Sequence, residues 1–283
     1  MKRLIFLSIA VLGLFSCSSK VQKVNARYVP ERMDDFVFEN DFYCFRVYGK
    51  ALEGNPTSPG FDFWAKNCDT LVADGRYRLY AEGSDQAYHH NLGNGKDCYK
   101  VGVSLGAGGS SPFIGDTLRY PATNYRSYEI LTSSPKEISF VLHYPEWETC
   151  GYRIALDKKF TVTAGKKFCK IEDNYTFEGP SGTLTIAAGI NRHDENDILE
   201  EFLGKDRVAI WERASDQSLE KEDGLIGVAV VMPKADRLEV ACGHSLLEKD
   251  VRSGETLTYF VSAVWSEFSV RTAREWFDLV NKL

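Results

Sequence analysis

The chain is 283 residues long and carries 34 Lys and Arg against 40 Asp and Glu, a net charge of −6. That balance, with no basic block, argues against nucleic-acid binding, because neutralising phosphates takes clustered Lys and Arg. Aromatic residues make up 13% of the chain, which suits a large β core or a sugar-binding surface.

At the N-terminus, Lys2 and Arg3 precede an apolar run from Leu4 to Phe15, too short to span a bilayer and placed as a secretory signal. The run ends in Leu14-Phe15-Ser16-Cys17, which resembles the lipobox of bacterial lipoproteins. The resemblance implies that residues 1–16 are removed, that Cys17 carries lipid, and that residues 17–27 act as a tether. Ser18-Ser19-Lys20 lack an acidic cluster of the kind that marks surface export. The expected location is therefore the bacterial cell envelope, at the outer membrane facing the periplasm, with the lipid as the sole membrane contact. Six further cysteines, Cys44, Cys68, Cys98, Cys150, Cys169 and Cys242, are spaced too irregularly to identify disulfides or a zinc knuckle. Those within apolar strand patterns read as buried free thiols.

Residues 28–283 read as one domain built from strand after strand. In Glu137 to Tyr144, Ile138, Phe140 and Leu142 alternate with Glu137, Ser139 and His143. Cys169, Ile171, Tyr175 and Phe177 share one face of another run, opposite Lys170, Glu172, Asn174 and Thr176. Such period-two alternation marks half-buried strands. Similar runs occur at 36–48, 61–66, 152–163, 183–190, 208–213, 225–232, 237–242 and 256–265. Only the C-terminus reads as helical, with Ala273, Trp276, Phe277 and Val280 at helical spacing. The expected fold class is all-β, a sandwich with a short C-terminal helix.

Residues 85–109 concentrate the chemistry. Tyr88, His89, His90, Lys96, Asp97, Tyr99 and Lys100 lie in one glycine-rich segment, which reads as a loop. The bland alternative is a solvated loop with no specific role. Gly106-Ala107-Gly108-Gly109-Ser110-Ser111 lacks the GK[ST] and the helix that a phosphate cradle needs. His89 and His90 are adjacent, so on a strand they would point to opposite faces and make a poor metal pair. No metal and no cofactor are expected, although calcium held by scattered carboxylates stays open. His143 and His244 read as structural.

An ordered series of short motifs carries a family resemblance. It runs from Tyr28-Val29-Pro30-Glu31-Arg32-Met33-Asp34-Asp35, Glu39-Asn40-Asp41 and Phe45-Arg46-Val47-Tyr48-Gly49 to Asp62-Phe63-Trp64. It continues through Tyr88-His89, Gly93, Gly95, Asp97, Tyr99-Lys100-Val101-Gly102, Gly106 to Gly109, Asn124-Tyr125, Leu156-Asp157 and His193. The chain resembles the bacterial lipoprotein family called domain of unknown function 4861. That resemblance implies a galactose-mutarotase-like β-supersandwich and a carbohydrate role beside polysaccharide-degrading systems. The sequence departs from the family pattern at Asn91 and Leu92, which stand where an Asp and a second His are expected, and at Leu105, where a basic residue is expected.

The residue types suit β-elimination on a uronic acid. The reaction needs a base for the C5 proton, for which neutral histidine (ordinary pKa ~6.5) is suitable, an acid for the leaving oxygen, and a cation for the carboxylate. Tyr88, His89, Tyr99, Lys100 and His193 are the candidate catalytic residues, and Trp64, His90, Asp97 and Arg192 the candidate substrate contacts, if the fold brings Arg192-His193 to the central segment. For that pair the bland alternative is a solvated strand end. The expected partner is an acidic oligosaccharide or polysaccharide. Glycoside hydrolysis by two carboxyl groups, drawn from residues such as Asp34, Asp35, Glu39, Asp97, Asp194 and Glu195, is an alternative. Mutarotation and non-catalytic sugar binding on Trp64, Tyr88 and Tyr99 are others.

Overall fold

The computed structural model describes residues 21–54, 57–214 and 223–283. The signal run and Cys17 lie outside the described residues. In chain order the elements are β1 (Val24–Val29), β2 (Asp35–Asn40), β3 (Cys44–Val47), β4 (Phe61–Ala65), α1 (Ala73–Ala81), β5 (Lys96–Asp97), β6 (Ala107–Pro112), β7 (Ser127–Ser133), β8 (Glu137–Thr149) and β9 (Tyr152–Thr163). They continue with β10 (Cys169–Glu178), β11 (Thr183–Asn191), β12 (Ile198–Gly204), β13 (Arg207–Arg213), β14 (Leu225–Val231), β15 (Arg237–Ala241), β16 (His244–Arg252), β17 (Thr256–Trp265) and α2 (Ala273–Val280).

Two layers form the expected all-β supersandwich. One is an antiparallel sheet of eight strands in the order β12-β13-β14-β17-β10-β9-β8-β7. The other joins a five-stranded sheet, β1-β2-β3-β4-β5, to a four-stranded one, β15-β16-β11-β6. The small sheets meet where Phe61 bridges Gly106, and β17 packs against both β4 and β6. Alternation drives this arrangement. Along β9 and β10 every second residue is buried, so each strand offers one face to the layer opposite, apolar except for the buried Lys158–Asp173 ion pair. Stacked phenyl rings fill the seam, with Phe36 on Phe140 at 4.4 Å and Phe140 on Phe160 at 4.7 Å between centroids. Such ring pairs add about 0.5–1.5 kcal/mol each beyond the area they bury.

At the C-terminus, Thr272 and Glu275 form a capping box, and the buried indole of Trp276 lies against β14. A Cβ at Gly227 would sit 2.9 Å from that indole, so only glycine lets α2 approach.

Four expectations need correction. The run 36–48 is two strands with a turn between them, because Asn40 caps the backbone of Phe42 and Tyr43. The fold starts at Val24, inside the segment expected as tether, because β1 pairs with β2 along its whole length. The glycine-rich loop ends at Gly106, since Ala107–Pro112 pair with β11 as a fully buried strand. A helix not expected from the sequence, α1, follows β4. It has no local side-chain cap; instead Glu39 of β2 accepts from the backbone N–H groups of Val72 (2.8 Å) and Ala73 (3.0 Å). Those are among the donors a helix start leaves unsatisfied.

The six described cysteines are free, with Cys44, Cys98 and Cys169 buried as expected. His143 bonds Asp157 at 2.7 Å, and His244 accepts from the Leu105 N–H at 3.0 Å, so both have structural partners.

Candidate functional site

Strands β2 to β5 are buried on both faces, yet their second face is charged. Phe45, Phe61 and Phe63 point into the sandwich, so alternation sends Arg46, Asp62 and Trp64 to the other side. Antiparallel register sets Arg46 opposite Asp62, and Trp64 opposite Asp97. The Arg46 guanidinium therefore reaches two carboxylates. Its Nε donates to Asp62 Oδ2 at 2.8 Å, and its Nη2 donates to both Asp62 and Asp97. Burial alone would lower the Arg46 pKa, but the two carboxylates more than offset it and keep the group charged. Burial pushes Asp62 upward against the pull of Arg46, and Asp97 adds to the rise. The Tyr48 hydroxyl donates to Asp62 at 2.9 Å.

Helix α1 and the segment after it roof this face. Arg76 of α1 donates to the His90 carbonyl at 2.9 Å and to the Asn94 side chain. Asn91 closes the loop by accepting from the N–H groups of Gly93 (2.9 Å) and Gly95 (3.1 Å). Gly95 has φ +105°, and a Cβ there would collide with the Ala65 carbonyl, so no other residue fits. The roof leaves a cleft of about 360 Å³. Its lining includes Arg32, Arg46, Tyr88, His89, Asp97 and Tyr99. A second hollow of about 260 Å³ adjoins it and shares Arg32, Tyr48 and Gly102.

Within the cleft, His89 Nδ1 lies 3.0 Å from the Asp97 carbonyl oxygen. A carbonyl only accepts, so Nδ1 carries a proton, and Nε2 is the acceptor nitrogen whenever the ring is neutral. The Tyr88 ring lies near two guanidinium groups, 5.4 Å from Arg32 and 5.1 Å from Arg46. Burial pushes the Tyr88 phenol up to about 12, opposed by both arginines, so it stays protonated at neutral pH. Tyr99 is raised further by complete burial, with Glu212 and Asp62 adding to it, and its hydroxyl has no hydrogen-bond partner among the described residues. Arg32 pairs with Asp35 at 2.9 Å, and burial lifts Asp35 to about 6 against the pull of Arg32 and Arg46.

Of the residues singled out from the sequence, Tyr88, His89, Asp97 and Tyr99 meet in the cleft, and the others fall outside its lining. His193 does reach the central segment. Its ring meets Tyr99 edge-on at 4.9 Å, its Nε2 bonds the Lys100 carbonyl at 2.6 Å, and its Nδ1 bonds the buried Glu212 at 2.9 Å. Both nitrogens are engaged, so His193 holds Tyr99 from behind rather than meeting a ligand. Arg192 does not follow it, turning to Glu201 and to Ser245 (3.0 Å). Lys100 and His90 are exposed outside the cleft lining. Trp64 is 4% exposed, wedged against Tyr77 and Tyr88 with Arg46 over its ring, and offers no sugar-stacking surface. The departures from the family pattern also sit elsewhere: Asn91 closes the loop, Leu92 is exposed, and Leu105 packs with Phe113 and Leu246.

Sequence reasoning passed over Arg32, Arg46, Tyr48 and Asp62 as chemistry. For Arg46 and Asp62 the one local signal is a charge inside an apolar strand, as in Phe45-Arg46-Val47 and Phe61-Asp62-Phe63. A buried charge is retained only with a partner, so each implies one.

Comparison with known families matches residues 13–283 to the domain of unknown function DUF4861. The chain belongs to this family. Among curated proteins, the DUF4861 chain is similar to "Uncharacterized protein P7" of Formosa agariphila, 31% identical over 218 residues, or 74% of this chain and 52% of P7. It thus spans about half the length of that relative. Among solved structures it overlays the GH36 α-galactosidase AgaB of Geobacillus stearothermophilus with a TM-score of 0.39 at 10% identity, over 87% of this chain and 41% of AgaB. It overlays Slr1438 of Synechocystis sp. PCC 6803 with a TM-score of 0.35 at 8% identity, over 85% and 99% of the two chains. Overlays this distant assign no activity.

Proposed function

We propose that this protein is a carbohydrate-active lipoprotein of the bacterial cell envelope, anchored through Cys17 at the outer membrane and facing the periplasm. Its cleft cleaves uronic-acid-containing oligosaccharides by β-elimination. The observation that carries this reading is the 3.0 Å contact of His89 Nδ1 with the Asp97 carbonyl, which leaves Nε2 as the accepting nitrogen of the neutral ring beside protonated phenols and an arginine. The resemblance to mutarotase-like proteins supports a sugar as the substrate.

The steps follow from those positions. Arg32 pairs with the uronate carboxylate and stabilises the charge that develops there. His89 Nε2 takes the C5 proton, the freed electron pair forms the C4–C5 double bond, and the C4–O bond breaks. The Tyr99 hydroxyl, buried and without a hydrogen-bond partner among the described residues, protonates the departing oxygen once the bound sugar reaches it. His193 fixes the Tyr99 ring, and Asp97 fixes both His89 and Arg46.

Two observations count against the alternatives. Asp62 and Asp97 share the same Arg46 nitrogen, which ties them down as ion-pair partners rather than spacing them across a glycosidic bond. The burial of Trp64 removes one of the three expected stacking platforms of a pure binding module. The test is to incubate purified protein with a panel of acidic oligosaccharides, with and without chelator. Elimination yields a product absorbing in the near ultraviolet. Reducing ends without that absorbance would replace the reading with hydrolysis, and binding without turnover would replace it with a binding module.

A further inference from the structure

A groove of about 460 Å³ lies on the outer face of the large sheet, between β9, β10, β17 and the end of α2. Phe260 and Lys170 face it because their neighbours Tyr259, Val261, Cys169 and Ile171 fill the core. Phe168, Phe260, Leu279 and Leu283 give it an apolar lining, and Lys166, Lys167, Lys170 and Lys282 contribute four cations. Three carboxylates stand near. Asp41 accepts from the Gly165 N–H at 2.7 Å, Glu172 pairs with Lys170 at 2.7 Å, and Glu137 accepts from the Thr163 hydroxyl at 3.1 Å. Among the described residues, Lys166 and Lys282 form no ion pair, and the Lys167 ammonium rests 3.8 Å over the Phe42 ring.

The described chain also enters the fold here. The Lys23 N–H donates to the Pro135 carbonyl at 3.0 Å, and the adjacent Lys136 carbonyl accepts from the Ala164 N–H at 2.8 Å. That second bond holds the turn carrying Gly165 and Lys166, which forms one wall of the groove. Lys23 and Lys136 thus bring two more cations to this end of a protein whose net charge is −6. Cys17 precedes Lys23 by six residues, a reach of at most roughly 20 Å.

We propose that this lysine-bearing groove is a membrane-facing surface that takes anionic phospholipid headgroups, its apolar lining meeting the upper acyl region. Lysines near an anionic surface each contribute on the order of a few-fold in partition, and apolar side chains flanked by lysines are the usual makeup of an interfacial contact. Arg32 follows the far end of β1, about 20 Å from Lys23 along the strand. The groove lies on the outer face of the large sheet and the cleft on the outer face of the opposing layer, so docking by the groove leaves the cleft open to soluble oligosaccharide. This surface is independent of the catalytic reading.

The experiment is co-sedimentation of the Cys17→Ser chain, which lacks the proposed lipid anchor, with vesicles of phosphatidylcholine alone or with added phosphatidylglycerol. With the groove intact this chain should prefer the anionic vesicles, and the preference should fall with salt; the substitutions below are made in the same background. Lys166→Glu with Lys282→Glu should cut that preference roughly ten-fold or more at an unchanged melting temperature. Lys50→Glu with Arg78→Glu makes the same charge change at other exposed positions and should keep it. If the charge-reversed pair misfolds, Lys166→Gln with Lys282→Gln gives the same reading with a smaller loss. Equal partition onto both vesicle types, or equal losses in both charge-reversed pairs, would overturn the proposal. Full competition by millimolar glycerol phosphate would also overturn it, in favour of a small-anion site.

Discussion

His89 and Asp97 are joined through a ring nitrogen and a main-chain carbonyl, 3.0 Å apart, and not through the Asp97 carboxylate, which belongs to Arg46. One residue thereby serves two neighbours: its backbone fixes a histidine tautomer, and its side chain holds a buried guanidinium.

The division predicts separable effects on turnover. His89→Ala should lower the rate roughly 10²–10⁴-fold, the usual loss of an acid–base group. Tyr99→Phe should keep the ring contacts with Phe63 and His193 while removing the proton donor, so binding survives and turnover falls. Rates paired with calorimetric binding on one oligosaccharide check both. Full activity in the two variants would remove this cleft from the mechanism.

Arg46 should matter chiefly to folding. Arg46→Met would strand two buried carboxylates and cost about 3–5 kcal/mol, the range for breaking a buried ion pair. Adding Asp62→Asn and Asp97→Asn to that variant should recover part of the loss, because no unpaired charge then remains. Urea unfolding of the single and triple variants measures the difference; equal stabilities would show that the charges are not coupled.

Asp35 predicts a pH-dependent term. Burial lifts its folded pKa to about 6 from an ordinary 3.8, so between those values the folded chain holds a proton that the unfolded chain has released. The contribution is favourable at the acid end and is lost as pH rises through 6, a change on the order of 3 kcal/mol. Unfolding free energies from pH 4 to 7.5 should fall more steeply with pH for the wild type than for Asp35→Asn. Parallel curves would refute the raised value.

Anchoring has its own test at Cys17. Cys17→Ser should move the protein from the membrane fraction to the soluble fraction with an unchanged circular dichroism spectrum. Retention of that variant in membranes after a high-salt wash would falsify lipidation as the anchor. The salt wash matters, because the lysine-bearing groove is expected to give weaker, salt-sensitive attachment.

Much of the fold is written in local periodicity. The alternation in β8, β9 and β10 is a property of neighbouring residues, and it sorts the large sheet into core and solvent faces before any partner strand is known. The stripe of Ala273, Trp276 and Val280 does the same for α2, whose capping box is also local. Helix α1 was not legible, because its start is satisfied by Glu39, 33 residues before Val72. Tyr88, His89, Asp97 and Tyr99 could be singled out because chemistry-bearing residues crowd one glycine-rich stretch.

Their roles depended on contacts that sequence spacing does not encode. Sequence by itself determined which residues alternate, and hence the β class and the two-faced strands. Tertiary structure decided that Arg46 meets Asp62 and Asp97 on a roofed face, that Trp64 is packed away, and that His193 supports Tyr99 while Arg192 turns aside. The physical reason is one of range. Strand periodicity is set by backbone geometry within a few residues, whereas a buried charge finds its partner through strand register and layer packing across tens of residues, and the energetic cost of leaving it unpaired enforces that pairing only once the layers close.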